Sequence, residues 1–219
     1  MDKYLLLRLL LNFFELLAAF TGIIYWQKLK QNYWKWFVIY LVIIATTELV
    51  CEFIGYVLHN RQLNAFVNIY FSIPFQFIFF FWLFYKWFQN PAKKKLAVAG
   101  FIIYTLSLAT DFFYFRDKQL WFFSFSYITG NVFLLVLTLF FLFDFIRSEQ
   151  ILYYRSNMMF WVCIGLLIFY LGSLPLFGLW NTLAKNYPAI FNAYWMILIN
   201  LNYLMYLCFT ISFIWGSQK

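Results

Sequence analysis

Charge is scarce in this chain: 11% of its 219 residues are Asp, Glu, Lys or Arg, where a soluble domain carries about a quarter. Apolar residues make up 65%. A soluble helical protein needs a polar face on each helix, and the apolar runs of about twenty residues here have none. That excludes a water-soluble bundle. Histidine is reduced to His59, in a turn beside Arg61; it reads as solvated, with pH sensing as the alternative. The cysteines, Cys51, Cys163 and Cys208, fall in separate apolar runs without pair spacing, as small buried residues do. There is no Ser/His/Asp order, zinc-ligand spacing, glycine-rich phosphate loop or C-x-x-C, and the last apolar run has no lysine at depth for a retinal Schiff base. No metal or cofactor is expected. The net charge of +8 sits singly in short turns and forms no basic surface interleaved with aromatics, so nucleic acid is not the expected partner.

What the chain has in abundance is aromatic residues, at 27%. Part of this is interfacial belt: Tyr25, Trp26, Tyr33, Trp34, Trp36, Tyr85, Trp87 and Trp121 fall near span ends. The hydropathy pattern predicts an all-α, multi-pass protein of one domain (1–219) with seven transmembrane helices. The spans run about Tyr4–Trp26, Tyr33–Leu58, Ala65–Phe88, Leu96–Phe115, Leu120–Phe145, Met158–Trp180 and Ile190–Trp215. Asn90-Pro91-Ala92-Lys93-Lys94-Lys95 is expected to break the helical pattern, and Arg116-Asp117-Lys118 to end span 4. Arg8 and Glu15 interrupt what would be a signal-peptide core, so the first run reads as a retained span.

Seven spans put the termini on opposite sides. Ten of the sixteen Lys and Arg (Lys28, Lys30, Lys35, Lys86, Lys93 to Lys95, Arg147, Arg155 and Lys219) share one side. The positive-inside rule then places the N-terminus outside and the C-terminus in the cytoplasm, in the plasma (inner) membrane. No loop is long enough for a soluble output domain, so any cytoplasmic output needs another protein. Asn68-Ile-Tyr70 against Asn192-Ala-Tyr194 is compatible with spans 1–3 repeating as spans 5–7, or with chance in so aromatic a chain.

The candidate site comes from polar residues at membrane depth. A charge there costs roughly 2.5–3.5 kcal/mol on insertion scales. Glu48 and Glu52, spaced i, i+4, share one face of span 2 with Gly55, and Arg8, Asn12 and Glu15 share one face of span 1. Asn64, Asn68, Gln76 (beside a kink expected at Pro74), Asn131, Asn192, Asn200, Asn202 and Tyr203 complete the set. At ~1.5 Å per residue most of these lie between the midplane and the outer surface, and an outward-facing pocket ending near Glu15, Glu48 and Asn200 is expected. Arg8 faces three carboxylates, so at least one acid is expected to be protonated or to hold a cation. The alternative is structural: an ion pair of Arg8 with Glu15 or Glu52, and interhelical asparagine bonds worth ~0.6 kcal/mol each. Asp111, Asp117, Asp144 and Glu149 fall near span ends and are expected to be solvated.

Glu52-Phe-Ile-Gly55, Asn64, Asn68-Ile-Tyr70, Gly165-Leu-Leu-Ile-Phe-Tyr170 and Asn200-Leu-Asn202-Tyr203 give the chain a texture that resembles uncharacterised bacterial seven-helix membrane proteins, some thought to accompany sensor kinases. The resemblance implies a sensory role and no particular chemistry. The favoured reading is a sensory or ligand-binding module that takes protons or a small polar or cationic ligand and signals to a cytoplasmic partner. A small-molecule or ion transporter coupled to Glu protonation is the alternative, and an intramembrane lipid-modifying enzyme the third.

Overall fold

The computed structural model describes residues 3–115 and 122–216. The Arg116–Lys118 turn, Trp121 and Lys219 lie outside them. Among the described residues every regular element is helical, and seven helices are long and apolar enough to cross a membrane: Leu6–Ile24, Lys35–Val57, Gln62–Trp87, Pro91–Tyr114, Ser124–Arg147, Met158–Gly178 and Pro188–Trp215. The protein is a multi-pass membrane protein.

In chain order the α-helices are α1 (Lys3–Ile24), the single turn α2 (Trp26–Leu29), α3 (Lys35–Glu52), α4 (Arg61–Val67), α5 (Ile73–Trp87), α6 (Pro91–Thr110), α7 (Ser124–Arg147), α8 (Met158–Gly178), the short α9 (Trp180–Asn186) and α10 (Pro188–Trp215). Three π-helical turns join them: Phe53–Val57 extends α3, Asn68–Ser72 links α4 to α5, and Asp111–Phe115 follows α6. All three lie at the end of the bundle where α1 begins. The turn at Asn68–Ser72 has a local cause. Pro74 offers no N–H, and its ring would press on the carbonyl four residues back, so the chain widens ahead of it. The Ile73 N–H reaches Asn68 O instead, and Pro74 sits in the first turn of α5. The kink expected at Pro74 takes this form.

The stretch Asn90–Lys95 departs from expectation. Asn90 Oδ1 accepts from the Ala92 N–H at 2.8 Å and Pro91 opens α6, so the three lysines ride on the helix instead of interrupting it. Proline is favoured in a first turn, where its missing N–H has no helical partner to lose. The same arrangement opens α10 at Pro188.

The spans close into a ring: α1 packs on α3 and α10, α10 on α8, α8 on α7, α7 on α6 and α5, and α6 on α5. Rings complete the circuit between α3 and α5, with Tyr40 stacked on Phe79 at 4.2 Å and edge-on to Phe80 at 5.3 Å. Small residues bring α8 against α10: a Cβ at Gly165 would stand 3.1 Å from Met205 O, and one at Gly172 only 2.2 Å from a Leu201 methyl. Aromatic side chains fill the centre, Phe37, Phe77, Phe80, Phe84, Phe209 and Phe213 all being buried. Outside, Phe20, Leu106, Ile146 and Leu171 are at least 60% exposed, a surface suited to lipid and unfit for water.

Candidate functional site

The site lies at the end of the bundle where α1 begins. Positions 8, 12 and 15 stand one above another on α1, and α1 packs on α3, so its polar stripe meets that of Glu48 and Glu52. The Asn12 Nδ2 donates to the Glu52 carboxylate. Glu48 is half-buried and lies near Arg8 and Glu52. Glu15, the deepest of the three, is 3% exposed and lies close to Tyr206 of α10.

Arg8 lies with its guanidinium 5.9 Å from the centre of the Tyr56 ring. It makes no contact ion pair: among the described residues the one carboxylate–cation contact within 4 Å is Lys93–Asp144, at the other end of the molecule. The carboxylates are spaced along two helices, and among the described residues no group of three His, Cys, Asp or Glu side chains is arranged to hold a metal ion.

Above this stripe a cleft of about 920 Å³ opens. One wall is Arg8, Gly55, Tyr56 and Asn64; facing it are Trp180, Phe191, Asn192 and Trp195, with His59 at the rim. Asn64 is fixed by donating to Cys51 O at 2.6 Å, and its Oδ1 accepts from Asn68 Nδ2 at 3.1 Å. Gly55 is required beside it, because a Cβ there would stand 2.9 Å from Asn64 Nδ2. The turn that follows places His59 at φ 51°, a left-handed conformation uncommon outside glycine, Asn, Asp and His. The facing aromatics brace one another: Trp180 meets Phe191 edge-on at 4.8 Å and Trp195 at 5.5 Å.

Of the sequence candidates, Arg8, Asn64 and Asn192 line the cleft and Asn68 is bonded to Asn64. Glu15, Glu48 and Glu52 stand in the stripe and are not part of the cleft wall, so the pocket does not end on Glu15 and Glu48 as expected. The other candidates go elsewhere. Asn131 is wholly buried between α7 and α8, donating to Tyr170 O at 3.0 Å and Ser173 Oγ at 3.2 Å, and Tyr127 shares that serine at 3.2 Å. Asn200 is exposed on the outside of α10 and bonds back to Met196 O of its own helix at 2.8 Å. Asn202 is half-buried with its Oδ1 unpartnered. The Tyr203 hydroxyl donates to Leu7 O, tying α10 to α1. Gln76 is half-buried in α5 and is not part of the cleft wall.

Asp111 corrects the sequence reading outright. It is 2% exposed, not solvated, and accepts from the Ser126 N–H at 2.7 Å. Asp144 and Glu149 are exposed as expected; Asp117 lies outside the described residues.

Sequence reasoning missed Tyr206 and the wall of Trp180, Phe191 and Trp195. Tyr206 follows Tyr203 at helical spacing, a cue that the two share a face. The tryptophans carried no such cue, since aromatics near span ends are ordinary belt residues. No protein-family model matches the chain, nor does any curated protein or solved structure. The class defined by fold and site is a seven-span membrane protein with a polar cleft at one end of a closed aromatic bundle.

Proposed function

We propose that the protein is a membrane-embedded ligand-binding module, receiving protons or a small hydrogen-bonding or cationic ligand in the cleft and passing a helix shift to a cytoplasmic partner. The single observation that carries this reading is an open cleft whose wall includes Arg8, the one cation of the membrane-depth stripe that also carries Glu15, Glu48 and Glu52. Acids in hydrocarbon are kept where they meet a solute or a proton. The expected sidedness makes the cleft outward-facing in the plasma membrane and puts the basic turns in the cytoplasm, where a signalling partner would read them.

Trp180 and Trp195 line the cleft and supply the readout. In lipid nanodiscs, tryptophan emission is expected to change between pH 8 and pH 5 or on adding tetramethylammonium. Both responses should be lost or shifted in Glu48→Gln and Glu52→Gln. Unchanged responses in both variants would remove the carboxylates from the site. A coupled transporter is the second reading, favoured by a polar stripe that descends to Glu15 and opposed by the aromatic packing beneath. Tetramethylammonium or ammonium flux into proteoliposomes under a pH gradient distinguishes carriage from binding.

A further inference from the structure

The opposite end of the bundle carries a second recess, of about 520 Å³, where α5, α6 and α7 meet. Its polar lining includes Lys86 from the last turn of α5, Asn90 and Lys93 at the start of α6, Asp144 near the end of α7, and Ser148 just beyond. Trp87 and Phe141, in edge contact at 5.6 Å, form an apolar wall. Lys86 and Lys93 stand at the ends of two membrane spans, the level at which lipid phosphates lie.

The charge pattern here is unusual. Lys93, Lys94 and Lys95 crowd the first turns of α6, the positive pole of the helix dipole, where cations are disfavoured and anions favoured. One carboxylate answers them, Asp144, paired with Lys93. Lys94 leans on the Tyr85 ring at 5.7 Å, and Lys86 is exposed at the recess edge without a carboxylate contact among the described residues. Basic recesses at the cytoplasmic ends of spans suit anionic headgroups.

We propose that this recess is a binding site for a phosphate group, with Lys86 and Lys93 as its cations, the Asn90 side-chain amide as a hydrogen-bond donor, and Asp144 as an internal stand-in that holds Lys93 until the phosphate displaces it. The phosphate could be presented by an anionic phospholipid or arrive free in solution. The site is independent of the outer cleft.

The test uses the full chain in detergent, titrated by native mass spectrometry with phosphatidylglycerol, with zwitterionic phosphatidylcholine, and with inorganic phosphate. Retention of phosphatidylglycerol over phosphatidylcholine assigns the site to lipid; inorganic phosphate binding as well as phosphatidylglycerol assigns it to the soluble anion. Lys86→Ala and Lys93→Ala should each weaken the preferred ligand about fivefold, and Asp144→Asn should tighten it. Lys93→Ala and Asp144→Asn break the same ion pair, so a purely structural role would make them act alike. Like-signed effects of that pair, or no effect from any of the three variants, would overturn the proposal.

Discussion

Asp111 shows how one side chain can perform a duty that its own helix does not need. At its start α7 presents Phe123, which has no side-chain acceptor, so the first-turn N–H groups need a partner from elsewhere. The Asp111 carboxylate supplies it from the end of α6, at the positive pole of α7, on the Ser126 N–H. Asp111→Ala is expected to cost about 1–3 kcal/mol, as a buried donor loses its acceptor. Asp111→Asn, which keeps an oxygen there, should cost less; thermal unfolding in detergent orders the two. Nothing local announces this contact. Position alone puts Asp111 near a span end, and its partner lies fifteen residues on. Buried hydroxyls divide the same way. Tyr104 is buried with its hydroxyl unpartnered, so Tyr104→Phe should be neutral or stabilising. Tyr206→Phe removes a hydroxyl beside the buried Glu15 and should destabilise. Melting temperatures that move together would show that the Tyr206 hydroxyl beside Glu15 contributes nothing.

At the scale of elements, glycine sets how near two helices come. A Cβ on Gly130 would stand 2.8 Å from both the Phe77 and Tyr104 rings, and those rings are packed against each other at 4.8 Å. Gly130→Ala is therefore an overpacking change, expected to destabilise by about 1–3 kcal/mol in the same unfolding assay. The helices themselves were legible from sequence, because hydrocarbon leaves a spanning segment no alternative to internal hydrogen bonds and a long apolar run. Helix ends were less so: Lys93 to Lys95 look like an interruption until Asn90 and Pro91 are read as a start signal. The polar face shared by Arg8, Asn12 and Glu15 was legible because i, i+4, i+7 spacing is local. The departures of Asn131 and Asn200 were not, since which side of a wholly apolar helix meets a neighbour leaves little trace in its composition.

For the whole molecule, the two recesses lie at opposite ends with the aromatic centre between them. Expected sidedness is testable by labelling. In a background lacking Cys51, Cys163 and Cys208, His59→Cys should react with an impermeant maleimide from outside only, and Lys94→Cys from inside only. The reverse pattern would turn the cleft toward the cytoplasm. The π-helical turns are confined to the cleft end: α3, α5 and α6 each carry one there, and the described segments at the lysine-rich end carry none. Each such turn holds one residue more than an α-turn of the same hydrogen-bonding run. Handing that surplus to the adjoining turn swivels the intervening side chains by about 100° and advances them by about 1.5 Å, with every amide still served. The bundle accordingly has slack stored along the axis at one mouth and is tightly wound at the other, so a rearrangement begun at Gly55 or Asn68 can travel as a twist without any helix melting.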